Sequence, residues 1–244
     1  MLRRLAFLGC FGCSLLACKK STDRAPTPGS ASGSATAVVG SGSAGSGSAP
    51  AKKLTPEARI ARYQECLAAF NAGNTDVLKS CYGQASVREQ VDSVPELAAE
   101  GSDRIVEMVG AQRAAFPDLQ ITPRLIVVSG DTIAALLHVG GKNSVAAGGM
   151  KATNKKLGVF EAEIAVIADD GTFTRDSYYV DQPTVYHQLG LLANDTSPAA
   201  IEKPDGAPEI VFAKDDPNEA ANKAMIRKLL DSVSEKDAAA IEGL

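Results

Sequence analysis

The stretch "LGVFEAEIAVIADDGTFTRDSYYVDQPTVYHQLGLL", residues 157–192, decides the fold. Two runs rich in β-branched and aromatic residues flank Asp169-Asp170-Gly171, a sequence suited to a tight turn. They read as a hairpin of two strands, Leu157 to Ala168 and Thr172 to Val180. Along the first strand Phe160, Ala162, Ile164 and Val166 alternate with Glu161 and Glu163, as in a sheet covered on one side, with the acids on the open face. Asp181 then stands alone between Val180 and a closing hydrophobic run. It is either a base looking into a pocket or a polar residue where the strand meets the next turn.

Two more strands precede this hairpin, Gln120 to Ser129 and Thr132 to Gly140, joined by Gly130-Asp131 and followed by a Gly-rich connection over residues 141–150. Upstream the period changes to that of a helix. Thr55-Pro56-Glu57 opens one, with Ile60, Tyr63, Leu67 and Phe70 on one side and a stop at Asn71 to Asn74. A short helix over about residues 75–81 follows. Ser102 can cap another, from Asp103 to Ala115. Helices first and hairpin-linked strands after them predict an α+β domain, in which helices close one face of a curved antiparallel sheet around a hollow cone.

The first fifty residues are of another kind. Arg3 and Arg4 precede a short apolar run, residues 5–17, that is too short to span a bilayer as a helix and ends at Leu15-Leu16-Ala17-Cys18. Residues 1–17 therefore read as an export signal that resembles the lipobox of bacterial lipoproteins. That resemblance implies cleavage before Cys18, acylation of its sulfur and anchoring in the cell envelope, at the outer rather than the inner membrane. Residues 18–53, rich in Gly, Ser and Ala, carry almost no large apolar side chain and read as a tether. Of the five cysteines, Cys66 and Cys81 remain in the globular region. In an exported protein they can form a disulfide; equally they can be two small buried hydrophobes.

Residues 54–192 make the domain and 193–219, rich in Pro, Asp and Ala, a linker. Residues 220–244 raise a separate question. Ala221 to Leu244 can be laid on Ala58 to Cys81 without a gap, so that Tyr63, Leu67 and Phe70 meet Ile226, Leu230 and Val233, and Cys66 and Cys81 meet Leu229 and Leu244. This reads as the first helices of a truncated second repeat; the alternative is a lone helical hairpin packed on the first domain.

Together, "AAFPDLQI" (114–121), "GDTIAALLHVGG" (130–141), "KATNKK" (151–156), "DGTF" (170–173) and "YYVDQPTVYHQLGLL" (178–192) resemble the SnoaL-like polyketide cyclases of the nuclear transport factor 2-like superfamily. The resemblance implies that Asp181, before the Gln-Leu-Gly run, is the general base of an intramolecular aldol cyclisation. A carboxylate there would take a proton beside a carbonyl while a donor stabilises the enolate. Ser177 and Tyr179 share its strand parity and would face the ligand with it. Phe116 would line the pocket. The chain departs from the family pattern at Gly141-Lys142-Asn143, where many members carry Gly-Thr-His, and at Leu136, where an arginine is common. Asn143 takes the histidine's place, and His138 could donate to an enolate or ligand, or be a satisfied strand histidine.

Three functions follow. The first is a membrane-tethered domain that holds a small apolar or amphipathic molecule in its cone. The second is a cofactor-free cyclase or isomerase using Asp181, and the third a module that forms homodimers through the open sheet face. Net charge is −4, no basic patch argues for nucleic acid, and no phosphate loop or metal-ligand spacing argues for a cofactor.

Overall fold

The computed structural model describes residues 53–91, 98–147, 149–192, 198–214 and 216–242. The export signal, Cys18, nearly all of the tether and Leu244 lie outside these residues.

Helix α1 (Pro56–Ala72) begins where Thr55 Oγ1 accepts the Ala58 N–H, with proline in the first turn, where its missing N–H costs nothing. It ends at Gly73, whose φ of 66° is the left-handed conformation that glycine adopts freely. Asn74 then caps α2 (Thr75–Cys81) by accepting the Val77 N–H. A disulfide joins Cys66 to Cys81 across the pair, with Cα atoms 6.0 Å apart.

The expected order of helices first and strands second fails at this point. Strand β1 (Tyr82–Gln90) leaves α2 directly, and β2 (Ala99–Glu100) pairs antiparallel with it. Helix α3 (Ser102–Ala115) follows, and Ser102 is its first residue rather than its cap. Gly101 holds the cap position with no side-chain bond. Strands β3 (Gln120–Ser129), β4 (Thr132–Lys142), β5 (Lys156–Ile167) and β6 (Phe173–Val180) form an antiparallel meander, and α4 (Gln182–Gln188) closes the expected domain.

The sheet order is β2-β1-β6-β5-β4-β3-β7, with β7 (Glu209–Phe212) added at the end. β1 runs parallel to β6 and β7 parallel to β3, so the sheet is mixed at its borders and antiparallel in the middle. It curves around α1 and α3 without closing. Tyr63, Ile105, Phe116, Ile126, Ile133, Leu137, Ile167 and Leu189 are fully buried in its concave side.

Within 193–219, expected to be a linker, the described residues 198–201 cross the sheet and Glu209–Phe212 join it. Ile201 donates its N–H to Gly158 O (2.9 Å) and accepts from His138 Nε2 (2.8 Å). Gln188 brackets the same place, bonding both the N–H and the carbonyl of Gly158 and reaching Ala199 O. A side chain at Gly158 would put its Cβ 2.2 Å from Ile201 O, so only glycine lets the two backbones meet. Residues 198–201 thus strap the convex face before the chain joins the β3 edge as β7.

Beyond β7 come α5 (Glu219–Glu235) and α6 (Ala238–Glu242). Both ends of α5 are displaced by 163 residues from those of α1, and each helix has 17 residues. Lys236 repeats the left-handed cap of Gly73 with φ 58°. The stripe of Ile226, Leu230 and Val233, which matches buried or half-buried positions of α1, is exposed.

Candidate ligand-binding and acid–base site

Strand β5 is rotated relative to the expectation. Leu157, Val159, Glu161, Glu163, Ala165 and Ile167 face the concave side and are buried, while Phe160, Ala162 and Ile164 face outward and are exposed. Alternation was right and its direction wrong, because both faces of this strand are apolar enough to be buried. What turns the acids inward is their company.

β1 brings Arg88 and Tyr82 to the same side, and β6 brings Asp176 and Tyr178. Arg88 is ion-paired with Asp176 Oδ2, both residues being almost wholly buried, and its guanidinium lies 4.6 Å from the centre of the Tyr178 ring. Tyr82 donates its hydroxyl to the same Asp176 oxygen at 2.7 Å. From α1, Tyr63 sets its hydroxyl beside Glu163. The cone therefore holds one guanidinium and three carboxyl groups, Glu161, Glu163 and Asp176.

Burial strongly disfavours ionisation here. Burial raises the Glu161 carboxyl to about 7, against the pull of Arg88 and with a push from Asp176. Glu163 is raised well above the ordinary carboxylate range by burial and then by Asp176. The two remain protonated where an exposed glutamate would be charged.

Glu161 also borders a cavity of about 40 Å³. Phe70, Leu119, Ile121, Val139, Leu157, Val159, Val180 and Val185 give it an apolar wall, and Arg88, Gln90, Gln112, Tyr178 and Gln182 give polar points on it. Three polar atoms of residues on this wall, the acceptors Glu161 Oε1 and Gln182 Oε1 and the donor Arg88 Nε, are buried with no hydrogen-bond partner. Unpaired buried acceptors are costly, and a cavity beside them is where a ligand or water would satisfy them. The space has room for about three water molecules, well below the ~300 Å³ of a usual small-molecule pocket.

The residues expected to line the cone are elsewhere. Asp181 is exposed and caps α4: its Oδ1 accepts the Thr184 N–H (3.3 Å) and its Oδ2 accepts the Thr184 hydroxyl (2.7 Å). The structure thus places Asp181 where the strand meets the next turn, exposed and not on the cavity wall. Ser177 and Tyr179 do share its parity, which is the outward one. Ser177 donates to Glu89 Oε1 on the convex side, and Tyr179 is half exposed. His138 is buried under the strap, outside the cone, edge-on to Phe160. Asn143 is fully buried as a loop staple, donating to Ala115 O and accepting from the Thr153 N–H. Phe116 is core, at the end of α3, and is not part of the cavity wall. Among the described residues no group of three or more His, Cys, Asp and Glu could hold a metal ion.

Glu161 and Glu163 were missed as site residues because they alternate with apolar residues and so read as a solvent face, and Arg88 and Asp176 because each stands beside another charged residue, Glu89 and Arg175, in a stretch that reads as exposed.

Helices seated in a curved, unclosed sheet give the chain the nuclear transport factor 2-like class of fold. Within it the chain belongs to the SnoaL-like polyketide cyclase family, whose sequence profile matches residues 59–189. Solved structures agree on the fold. A Jannaschia sp. CCS1 protein described as a SnoaL-like polyketide cyclase superposes with a TM-score of 0.51 at 14% identity, covering 61% of this chain and 100% of its own. TsrD from Streptomyces laurentii gives 0.50 at 23% identity, with 57% and 100% covered. No curated protein matches the chain in sequence.

Proposed function

We propose that the cone holds a small amphipathic molecule, its polar end on Glu161 and Gln182 and its apolar part against Leu119, Val139, Val159 and Val185. The observation that carries this is the pair of unpartnered buried acceptors on one apolar cavity. A ligand larger than the present volume enters by displacing part of that wall. The lipobox-like Leu15-Leu16-Ala17-Cys18 supports an exported, acylated protein, held at the bacterial envelope by its lipid, with the Gly/Ser/Ala-rich residues 18–53 between lipid and domain. The register shared by α1 and α5 supports a second repeat beginning at α5. Self-association belongs to the convex face, where Leu136, Phe160, Ile164 and Tyr179 are exposed, and not to the Glu161 side.

Propanol is a neutral amphipathic probe of this reading. Titrated against methyl-labelled protein, it is expected to shift the methyl resonances of Val139, Leu157, Val159 and Val185. Shifts confined to Leu136 and Ile164 on the convex face would refute the reading.

A second reading, proton transfer by a cofactor-free isomerase or cyclase, is favoured by the carboxyl of Glu161, poised at about 7 inside the cavity. Its base is Glu161 in place of Asp181. Deuterium exchange at the α-carbons of cyclopentanone is expected to be accelerated by the protein, to fall at least about 100-fold in Glu161→Gln and to persist in Asp181→Asn. Equal rates with the wild type and Glu161→Gln would exclude it.

A further inference from the structure

With Glu161 and Glu163 protonated, the charged groups facing one another in the cone are Arg88 and Asp176, and what stays unmet there is hydrogen bonding. Of the two buried arginines, Arg59 is held at the far end of β5 by Ile167 O and Asp169, whereas Arg88 lies on the cavity wall, paired with Asp176 and set against the face of Tyr178, with its Nε unpartnered. Glu161 and Glu163 form no ion pair among the described residues. Glu163 lies beside Tyr63, away from the cavity wall, whereas Glu161 is on it, 7% exposed, with Oε1 unpartnered. From α4, Gln182 presents a second unpartnered acceptor to the same small space. α3 contributes only Gln112 to the wall, and α1 only Phe70, so neither brings a counter-charge.

Three kinds of polar end could enter. A carboxylate brings acceptors only, and neither Glu161 Oε1 nor Gln182 Oε1 could use them. An alcohol would give one donor for two acceptors. A protonated amine carries three donors in a compact head, which answers both free acceptors, and its charge pairs with Glu161 once that carboxyl ionises. Its alkyl part would lie along the valine and leucine wall.

Resting on the reading of the cone as an amphipathic site, we infer that the ligand is a small primary amine bound as its ammonium, with Glu161 as its counter-ion and Gln182 Oε1 as a second acceptor. The ligand's own bonds are unchanged. On binding near neutral pH, the Glu161 O–H bond gives its proton to a water molecule, and the carboxylate left behind pairs with the ammonium. The groups facing it in this exchange are Arg88 and Tyr82 from β1, Asp176 and Tyr178 from β6, Glu163 from β5 and Tyr63 from α1.

The test compares three isosteres, propylammonium, propanol and propionate, on the full chain at pH 6. Affinity is read from methyl shifts of the cavity wall, and protonation from the side-chain carboxyl ¹³C resonance of Glu161. Propylammonium is expected to bind at least about 10-fold more tightly than propanol, propionate to leave the cone unchanged, and the Glu161 resonance to move to the carboxylate position. Glu161→Gln is expected to bring the amine and the alcohol within about 3-fold of each other. Propanol binding as tightly as the amine, or an unmoved Glu161 resonance in the amine complex, overturns the assignment and leaves the amphipathic site standing. Binding of none of the three in the cone overturns both. The carboxyl resonance is measured on the wild type, so the result does not depend on the variant folding.

Discussion

Glu161 shows how one side chain can be assigned correctly to a strand and wrongly to a face. In the sequence it is a charged residue between Phe160 and Ala162, and charge alone argues for solvent. In the fold it is buried as an acid kept neutral. Because the folded chain holds this proton more tightly than the unfolded chain, the stability it contributes is complete below the ordinary value of 4.5 and is lost as pH rises towards about 7. Glu163, raised further in the same direction, continues the loss at higher pH. Urea denaturation between pH 4.5 and 8 is expected to show stability falling with pH, with the Glu161 part amounting to about 3 kcal/mol at most. Glu161→Gln is expected to have the shallower slope. A wild-type stability that rises across this window would mean that the carboxyl is not buried as described.

Among the elements, the strap and α4 depend on each other through one glycine. Gly158 sits where β5, the Gln188 side chain and the backbone of Ile201 converge, and a methyl group there would overlap Ile201 O. Gly158→Ala is expected to release residues 198–201 and speed proteolysis after β6, while the Cys66–Cys81 pair at the other end of the sheet stays bonded. Uncut protein under conditions that cleave no other loop would show that the strap adapts. The element boundaries were legible where local chemistry sets them: Thr55 and Asn74 at helix starts, Gly73 at a stop and Gly130-Asp131 at a hairpin. β1 and β7 were not. β7 is an edge strand and β1 lies next to the edge strand β2, and each runs parallel to a neighbour roughly 85 to 90 residues away in the chain, on which its place depends.

At the scale of the whole molecule, residues 54–213 share one sheet, while α5 and α6 pack chiefly on each other among the described residues. An exposed helix of 17 residues gains little from propensity alone and does little for the domain before it. Truncation after Ala213 is expected to leave the melting temperature within about 2 °C of the full chain, a shift worth less than about 1 kcal/mol. A larger loss would place the apolar stripe of Ile226, Leu230 and Val233 against the sheet.

The α+β class, the meander from Gln120 to Val180, the first two helices and the matching lengths of α1 and α5 were set by local pattern and turn chemistry, which act over a few residues and survive without tertiary context. The face of β5, the site of the acids, the outward placement of Ser177, Tyr179 and Asp181, and the burial of His138 were decided only in the folded chain. Periodicity establishes that side chains alternate. It does not establish which of two apolar faces will meet the helices, and that choice was made by distant partners: Arg88 and Tyr82 for the acids, and residues 198–201 for the histidine.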